Sequence, residues 1–418
     1  MAKMNTRAPW HNLWRSLSND KPMVLISGPR QCGKTTVAKA MAATFTNSQY
    51  HNWDIATHRA RLIADPTFFA SAPRRDSSAP LVVFDELHKH ADWKNYLKGV
   101  YDEFGGPYQF LVTGSGRLDL YQAGGDSLAG RYLGFQLWPF TIAELTSTRG
   151  PSDVDLAPAV ARFEANPLHV DLGQLAWQQQ VWQTLDQCSG FPEPFLAGRK
   201  QHWRRWSATY GRTLVREDVR ELVDVRRVAD LETLFALLPS RVGSPLSVPS
   251  LATDLKVAYT TVQAWLALFE RFFLTFSLPT WTERLARAIH KERKTYLYDA
   301  ARIDDAGSRF ENLVALELAR ATSAWTAWGL GEFTLHFVRT KDGAEVDFLV
   351  ARDRQPLLLV EAKLSDTAPA KALLAIQRQL KVPAVQLVHN LATYAIHRNE
   401  DQQVLVAPAA AWLAGLPA

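Results

Sequence analysis

Cysteine is scarce in this chain of 418 residues, which contains only Cys32 and Cys188. Two cysteines cannot build a disulfide framework, and their scarcity is typical of a reducing cytosol. The first residues, MAKMNTRAPWHNLW, lack the unbroken apolar segment of a signal peptide. The longest uncharged stretch, QVLVAPAAAWLAGLPA, is too short and too interrupted by proline to span a bilayer, so we expect it to dock as a C-terminal element. We therefore expect a cytoplasmic protein without a membrane partner.

Internal repeats and low-complexity segments are also absent from the sequence. With 47% hydrophobic and 21% charged residues, the composition is that of a globular protein and excludes general disorder. A chain of this length exceeds what one hydrophobic core usually organises, which predicts two or three domains. The net charge of +5 is mild and favours a nucleic-acid partner only weakly.

Strand and helix patterns alternate in the first third of the chain. Short apolar runs predict five strands: MVLIS (23–27), YHNWD (50–54), LVVFDE (81–86), YQFLVTG (108–114) and YLGFQLWPF (132–140). A helical pattern, TTVAKAMAATF, follows the first run, and this alternation predicts a parallel α/β sheet. From 174 to 280 the periodicity is mostly helical. After TYLYDAA the α/β pattern returns, with a helix at 308–322 and strands at FTLHFV, EVDFLVA and PLLLVEAK.

The segment GPRQCGKT (28–35) fits the phosphate-binding pattern Gly-x-x-x-x-Gly-Lys-Ser/Thr. Its glycines let backbone N–H groups point at the β-phosphate, Lys34 reaches the β- and γ-phosphates, and the Thr35 hydroxyl binds Mg²⁺. The alternative is a chance glycine-rich turn, but a strand precedes the segment and a helix follows it. We expect Cys32 to point to solvent. The predicted nucleotide-binding residues are Gly28, Pro29, Arg30, Gln31, Cys32, Gly33, Lys34, Thr35, Thr36 and Asp85.

Two adjacent carboxylates, Asp85 and Glu86, follow the apolar run LVVF. At the end of a strand beside a P-loop, the aspartate supports the Mg²⁺ shell and the glutamate polarises the attacking water. The alternative is a buried strand that ends in surface carboxylates. Thr113 and Ser115 end the next strand, where a hydroxyl can bond the attacking water or the γ-phosphate. We expect Arg131 to stabilise transition-state charge, either in cis or at a neighbouring subunit.

The order of these segments is similar to that in one group of AAA+-type P-loop ATPases of bacteria and archaea. The matching segments are the P-loop, YHNWDIATHRARLIADPTFF, LVVFDELHKHADW, FLVTGS, SLAGRYLGFQLWPFTIAEL and SGFPEP, and the resemblance extends over nearly the whole chain. It implies a sheet with strand order 5-1-4-3-2, a winged-helix region and a C-terminal restriction-endonuclease-like domain. Thr113 occupies the sensor position, where many AAA+ enzymes have asparagine.

The middle of the chain has the pattern of a helix-turn-helix in LATDLKVAYTTVQAWLALFE, and FFLTFSLP would begin a wing. Thr260, Thr261 and Gln263 would lie near the start of a recognition helix and contact DNA. Upstream, Arg205, Arg212, Arg216 and Arg220 share one helix face if that segment is continuous. ERLARAIHKERK (283–294) adds further basic residues. The alternatives are a helical domain that contacts only protein and a solvated basic face.

The C-terminal third carries an aspartate and a Glu-x-Lys motif on neighbouring strands, in GAEVDFLVARDRQPLLLVEAK. Asp347, Glu361 and Lys363 fit the PD-(D/E)XK nuclease pattern, in which carboxylates hold Mg²⁺ and the lysine positions or deprotonates water. Glu311 or Glu317 would supply a further acid, and Glu311 is preferred because it lies near the helix start. A hairpin with outward-facing charges would look the same.

These patterns together predict an α/β protein with three parts. Residues 1–200 would form an AAA+-type ATPase domain with a helical lid, 201–285 a winged-helix region and 286–418 a nuclease-like domain. The predicted function is ATP hydrolysis with Mg²⁺ that drives rearrangement on DNA, within a homo-oligomer. One alternative is a nuclease gated by ATP. Another is a signalling switch whose C-terminal domains bind protein.

Overall fold

The computed structural model of the chain describes residues 7–115, 128–147, 155–219, 228–282, 292–399 and 402–417. The chain divides into two compact units. One consists of residues 1–139 and 148–155, and the other of residues 140–147 and 156–418. Among the described residues, no helix has both the length and the apolar character that crossing a membrane requires.

The first unit is a parallel sheet with helices. Its strands are β1 (Met23–Ser27), β2 (Ser48–Asn52), β3 (Leu81–Asp85), β4 (Gln109–Thr113) and β5 (Leu133–Gln136). Its helices are α1 (Ala8–Asp20), α2 (Lys34–Ala42), α3 (Ala56–Ala64) and α4 (Trp93–Phe104), with a short 3-10 helix at Leu87–Lys89.

The strands of this sheet lie in the order β2-β3-β4-β1-β5, and all neighbours are parallel. The predicted order 5-1-4-3-2 is therefore confirmed. Every residue of β1 and β3 is buried, as expected for central parallel strands covered on both faces, whereas the edge strand β2 is only partly buried. Because all strands run the same way, the P-loop after β1 and the carboxylates at the end of β3 meet at one edge of the sheet.

Two of the predicted strands end two or more residues later than the strands of the structure. The run YHNWD was expected to be extended to residue 54, but β2 ends at Asn52 and the chain turns there into α3. The run YLGFQLWPF was expected to be extended to residue 140, but β5 ends at Gln136. The Leu137 N–H still donates to the Ser27 carbonyl at 2.8 Å, and Pro139 then lacks the N–H that a further ladder bond would need.

The second unit holds the remaining elements. Its helices are α5 (Ile142–Thr146), α6 (Ala157–Ala165), α7 (Leu175–Cys188), α8 (Pro192–Ala197), α9 (Lys200–Thr213), α10 (Val228–Leu237), α11 (Val248–Leu255), α12 (Tyr259–Arg271), α13 (Ala306–Ala327), α14 (Lys371–Leu380) and α15 (Ala409–Ala414). Its strands are β6 (Thr275–Pro279), β7 (Arg293–Leu297), β8 (Phe333–Arg339), β9 (Glu345–Arg352), β10 (Gln355–Lys363), β11 (Ala384–Val388), β12 (Ala395–Asn399) and β13 (Gln402–Pro408). A π-helical turn covers Leu214–Val219, and 3-10 turns cover Leu238–Arg241 and Ala300–Arg302.

A six-stranded mixed sheet forms the core of the C-terminal part, in the order β12-β13-β11-β10-β9-β8. β8, β9 and β10 form an antiparallel meander, and β11 and β13 add parallel to it. The helix predicted at 308–322 lies within α13, which packs on β8, β9 and β10. The uncharged tail forms β13 and α15, both largely buried, so the expectation of a docked C-terminal element is confirmed.

The middle of the chain contains α11, a short turn and α12, followed by the antiparallel pair β6 and β7. Helix α11 begins at the Ser247 cap, whose hydroxyl accepts from the Ser250 N–H, and ends at Lys256 in a left-handed conformation. The predicted boundary at residue 285 falls between β6 and β7, which pair with each other. Arg220 and residues 283–291 lie outside the described residues.

Candidate nucleotide site and a second acidic cluster

The P-loop joins β1 to α2 through backbone conformations that favour glycine. Gly28 has φ 143°, and a Cβ at this position would lie 2.3 Å from the carbonyl oxygen of Leu137. Gly33 has φ 99° and precedes the first residue of α2, and Gln31 is also left-handed with φ 59°. The two glycines of the motif are therefore required by close approach and by φ, and they turn the chain onto the amino end of a helix.

Lys34 lies inside the loop. Its Nζ donates to the carbonyls of Gly28 at 3.0 Å and Pro29 at 2.7 Å, and the residue is buried. Arg30, Gln31 and Thr36 are half-buried or exposed at the rim. Cys32 does not point to solvent as expected: it is fully buried, with its Sγ 3.5 Å from the Leu137 carbonyl oxygen, so that prediction is wrong. The side chain of Cys32 therefore packs beneath the turn of the loop.

Asp85 is the centre of a buried hydrogen-bond network at the end of β3. Its Oδ2 accepts from the Thr35 hydroxyl at 2.8 Å and from the Asn52 amide at 3.1 Å. The hydroxyls of Tyr50 and Thr113 also donate to this carboxylate. Burial and the bond to Asp85 raise the pKa of Tyr50 well above its ordinary value, so its hydroxyl keeps the proton that it donates. Tyr50 and Asn52 were not predicted, although both lie on the predicted second strand.

Glu86 has a left-handed backbone, with φ 58° and ψ 24°, which turns the chain out of β3. Its carboxylate lies 3.5 Å from Lys89 Nζ and 3.7 Å from His88 Nε2, and its side chain is 17% exposed. Lys89 also contacts Asp54 at 2.6 Å. The adjacent acids therefore differ in environment: Asp85 is closed in by donors, whereas Glu86 remains accessible at the same edge of the sheet.

The three other residues predicted near the nucleotide have different positions. Thr113 is fully buried and donates to Asp85, and the Ser115 hydroxyl lies 3.2 Å from His88 Nε2. Arg131 forms a two-point ion pair with Asp102 of α4, with Nε–Oδ1 at 2.7 Å. It precedes β5, in which Leu133 pairs beside Val24 near the start of β1, so it lies at the sheet edge opposite the P-loop. The roles predicted for Arg131, in cis or at a neighbouring subunit, stay predictions.

Arg7 contacts the P-loop and was missed by the sequence reasoning. This buried guanidinium donates to the carbonyl of Cys32 at 2.6 Å and to that of Trp138 at 2.7 Å. It thereby links the loop to the chain that follows β5. No motif marks an arginine that acts on backbone carbonyls, and only the structure brings these three residues together.

The second unit gathers the residues of the predicted nuclease motif. Asp347 on β9 and Glu361 on β10 face each other: the Ala362 N–H donates to Asp347 Oδ2 at 3.0 Å, and the Asp347 N–H donates to Glu361 Oε2 at 3.3 Å. Lys363 Nζ contacts Glu361 at 2.6 Å. Glu311 on α13 joins this acidic cluster, whereas Glu317 points elsewhere and accepts from the Ile142 N–H at 2.7 Å.

Lys294 and Glu345 also belong to the acidic cluster, and neither was predicted to be part of it. Lys294 was grouped with the exposed basic run 283–294, but it is fully buried, and its Nζ contacts Glu345, Glu311 and Asp347 at 2.7, 3.0 and 3.4 Å. The assignment of Lys294 to a basic surface is therefore wrong. The available signal was the alternation in β7, which reads RKTYL: Lys294 and Tyr296 lie on one side of this strand, opposite Arg293.

Burial and neighbouring charges shift the acids of the cluster. Burial, with Asp347 beside it, raises the pKa of Glu311 from 4.5 to about 7. The same two causes raise the pKa of Glu361 to about 7. Burial alone would lower the pKa of Lys294, but Glu311, Asp347 and Glu345 outweigh it and raise the pKa. The lysine is thus held charged while two of the carboxyls bind protons more readily than usual.

The two units differ in how well they fit a divalent metal. In the first unit, the Thr35 hydroxyl and the Asp85 carboxylate are hard oxygen ligands that lie together beside the P-loop, which suits Mg²⁺. In the acidic cluster, the Lys294 ammonium already occupies the space between Glu311, Glu345 and Asp347. Across the described residues, no set of three or more His, Cys, Asp or Glu side chains is arranged to hold a metal ion.

The residues predicted to contact DNA lie on two helical surfaces of the second unit. Arg205 and Arg212 are exposed on α9, and Arg216 follows on the π-helical turn, so the segment is continuous through residue 219. Arg216 Nε pairs with Glu232 Oε1 at 2.5 Å. Thr260, Thr261 and Gln263 lie in the first turns of α12. Thr260 and Gln263 are exposed, and Thr261 is half-buried.

Three sequence families match consecutive parts of the chain. Residues 20–146 match a family described as an AAA domain. Residues 184–303 and 306–412 match two families described as domains of unknown function, DUF8612 and DUF4143. Uncharacterized proteins of Mycobacterium tuberculosis and Mycobacterium bovis are each 22% identical to the chain over 342 residues, which is 80% of this chain and 69% of each relative.

Solved structures of P-loop ATPases resemble the chain at low identity. A Walker-type ATPase of Pyrococcus abyssi is 14% identical, with a TM-score of 0.42, and the match covers 70% of this chain and 93% of that one. The replication initiator DnaA bound to AMPPCP and single-stranded DNA is 13% identical, with a TM-score of 0.31, covering 65% and 92%. The match of residues 20–146, the five-stranded parallel sheet and the P-loop beside Asp85 identify the N-terminal part of the chain as an AAA-type P-loop domain.

Proposed function

We propose that this chain is an AAA+ ATPase that hydrolyses ATP with Mg²⁺ and couples hydrolysis to rearrangement on DNA. The observation that carries the proposal is the contact between Thr35 and Asp85 with Glu86 next to it. This contact brings a phosphate-binding loop, a metal-supporting acid and an accessible carboxylate to one edge of the sheet.

Each residue of the candidate site has a role that follows from its position. The backbone N–H groups of the P-loop and the Lys34 ammonium bind the phosphates, for which Lys34 exchanges its two carbonyl partners for phosphate oxygens. Thr35 and Asp85 hold Mg²⁺, which when bound neutralises charge on the phosphates. Thr113 orients Asp85 by donating to its other oxygen. Glu86 orients and polarises the water that attacks the γ-phosphate.

The nucleic-acid part of the proposal has two supports. Arg205 and Arg212 leave positive charge exposed on one continuous helical segment, where phosphates can reach it. Helices α11 and α12 with the β6–β7 pair have the element order of a winged helix, and Thr260 and Gln263 are exposed at the start of its second helix. Assembly into a homo-oligomer would give Arg131 a neighbouring nucleotide to act on.

The first experiment measures the ATPase rate of wild type and Glu86→Gln with no DNA, with single-stranded DNA, with duplex and with a four-way junction. We expect hydrolysis that one DNA form stimulates, and loss of hydrolysis in Glu86→Gln with nucleotide binding retained. The matched control is Glu103→Gln on α4, an exposed carboxyl whose loss leaves the rate unchanged. A wild-type rate that is indifferent to every DNA would favour the signalling switch.

The second experiment measures DNA affinity across salt concentrations for wild type and the double variant Arg205→Ala/Arg212→Ala. Because phosphate contacts release counterions, we expect the variant to bind more weakly and with a shallower dependence on salt, by about one unit of log–log slope per lost contact. The control removes two exposed lysines from the C-terminal part, Lys341→Ala/Lys371→Ala. Equal slopes in wild type and the arginine variant would rule out α9 as the DNA surface.

A further inference from the structure

Lys294 is an unusual residue to find without solvent contact, because a lysine is almost never fully buried unless it is paired. It lies on β7, where its backbone pairs with Leu278 of β6 on one side and bridges to Pro245 on the other. The next residue on the same side of the strand is Tyr296, also fully buried. The backbone at Lys294 is thus held from two sides, and its side chain has a fixed origin.

Three carboxylates from two different elements converge on the Lys294 ammonium. Glu345 and Asp347 come from β9, and Glu311 comes from α13. The Tyr296 hydroxyl donates to Glu311 Oε1 at 2.8 Å, so the same oxygen accepts from both residues of β7. The Lys294 ammonium has three N–H donors, and three carboxylate acceptors lie within 3.4 Å of it. The hydrogen-bonding capacity of this buried lysine is therefore fully used.

The acidic cluster contains its own positive charges. Four carboxyl groups, those of Glu311, Glu345, Asp347 and Glu361, face two ammonium groups, those of Lys294 and Lys363. Lys294 contacts Glu311, Glu345 and Asp347, and Lys363 contacts Glu361, so each carboxylate of the cluster has an ammonium within 3.4 Å.

A divalent metal would require a different arrangement. Mg²⁺ takes oxygen ligands at about 2.1 Å in octahedral geometry, and an ion bound by Glu311, Glu345 and Asp347 together would have to lie where the Lys294 ammonium lies. The Lys294 ammonium would then have to move into the surrounding core. The free energy of an unpaired ammonium is far higher there than in water. The ring of Phe337 has its centroid 5.6 Å from Nζ and offers no hydrogen-bond acceptor of comparable strength.

We propose that Lys294 is a permanent internal cation that takes the place of a divalent metal among Glu311, Glu345 and Asp347. The acidic cluster is then a structural joint that fastens the β6–β7 pair to α13 and β9, and the C-terminal part carries out no metal-dependent cleavage of nucleic acid. This inference concerns the second unit and does not depend on ATP hydrolysis by the first.

A metal titration tests the inference on the wild-type chain. The free Mn²⁺ signal is followed by electron paramagnetic resonance while MnCl₂ is added to nucleotide-free wild type, Asp347→Asn and the control Asp342→Asn, an exposed aspartate in the turn before β9. We expect the same number of bound Mn²⁺ per chain in all three proteins, since Asp347 binds a lysine. One Mn²⁺ that binds to wild type and Asp342→Asn but is lost in Asp347→Asn would overturn the proposal.

A second test measures how far the ion pairs of Lys294 stabilise the fold. Lys294→Met leaves the three carboxylates without their cation, so we expect its Tm to fall by more than that of Lys363→Met, a variant of the half-exposed lysine that contacts only Glu361 in the cluster. Adding Glu311→Gln to Lys294→Met removes one of the repelling carboxyls, and we expect part of the lost Tm to return. A double variant no more stable than Lys294→Met would mean that the lysine acts through packing and would overturn the charge argument.

Cleavage assays provide a third readout. Supercoiled, linear duplex and single-stranded DNA are incubated with wild type and Mg²⁺ or Mn²⁺, with and without ATP. We expect intact DNA in every case. Cleavage that disappears in Asp347→Asn would overturn the proposal and establish the nuclease alternative, whatever the ATPase rate. Failure of ATP hydrolysis in the same preparation would bear on the first unit alone.

Discussion

At the scale of single residues, Glu86 has a left-handed backbone conformation that is unfavourable for a residue with a side chain. A residue with a Cβ in the left-handed region costs about 1–2 kcal/mol, and glycine avoids that cost. We predict that Glu86→Gly has a free energy of unfolding about 1 kcal/mol above that of Glu86→Ala, seen as a higher urea midpoint, although both variants lose the carboxylate and with it ATP hydrolysis. Lys98→Gly and Lys98→Ala within α4 should show the reverse order, because glycine weakens a helix interior. Equal midpoints for the Glu86 pair would mean that the turn relaxes.

Arg7 is a second residue whose predicted role rests on its own hydrogen bonds. Its guanidinium bonds two backbone carbonyls, and hydrogen bonds of a charged donor contribute about 1.5–3 kcal/mol each. We predict that Arg7→Met destabilises the first unit and weakens binding of a non-hydrolysable ATP analogue about tenfold, since the carbonyl of Cys32 loses its anchor. Arg7→Lys should recover little, because one ammonium cannot span two carbonyls as a planar fork does. Arg15→Met, on an exposed face of α1, is the control. Unchanged analogue affinity in Arg7→Met would show that the P-loop keeps its shape unaided.

At the scale of elements, α13 carries a buried acid at the amino end of α5. Glu317 accepts from the N–H of Ile142, and burial raises its pKa from 4.5 to about 8. The folded chain therefore binds this proton more tightly than the unfolded chain, so stability falls as the pH rises from about 4.5 to about 8. The slope due to one such group reaches about 1.4 kcal/mol per pH unit.

The pH dependence of Tm tests this assignment. Glu317→Gln cannot titrate at position 317, whereas Glu311 and Glu361, with pKa values of about 7, titrate in both proteins, so the difference between the two pH profiles reports on Glu317. We expect the wild-type Tm to fall over this interval and that of Glu317→Gln to fall less. Glu270→Gln, exposed on α12, serves as the matched control. Parallel profiles for wild type and Glu317→Gln would mean that Glu317 is ionised throughout.

The elements also show what a sequence can predict. β1, the P-loop and α2 follow one another within twenty residues, so apolar runs and glycine positions indicate them directly. Contacts between distant positions leave no such trace: Arg7 and Trp138 are 131 positions apart, and Lys294 and Asp347 are 53 apart. The burial of Cys32 was missed for the same reason, because the carbonyl of Leu137 that covers it lies 105 positions further along the chain. The acidic residues of the motifs were predicted from the sequence. The residues that contact these acids, and so determine what the acids can bind, were not predicted.

At the scale of the whole molecule, the division into two compact units predicts how ligands change stability. A ligand that binds one unit stabilises that unit by RT ln(1 + [L]/Kd), which is about 2.7 kcal/mol at a ligand concentration of 100 Kd. The P-loop lies in the first unit and the buried Lys294 in the second. We therefore predict that calorimetry of Glu86→Gln resolves two transitions and that Mg²⁺ with ATP raises the Tm of only one of them, because this variant binds without hydrolysis.

Variants assign the two transitions. Arg7→Met should lower the transition that Mg²⁺ and ATP raise, and Lys294→Met should lower the other. Lys34→Ala, which removes the phosphate-binding ammonium, should abolish the shift with ATP, whereas Lys98→Ala should retain it. A single transition that Mg²⁺ and ATP shift as a whole would show that the units unfold together. Nucleotide binding would then stabilise the acidic cluster and α9 as well. Two independent transitions would instead show that nucleotide binding does not stabilise the second unit of the isolated chain.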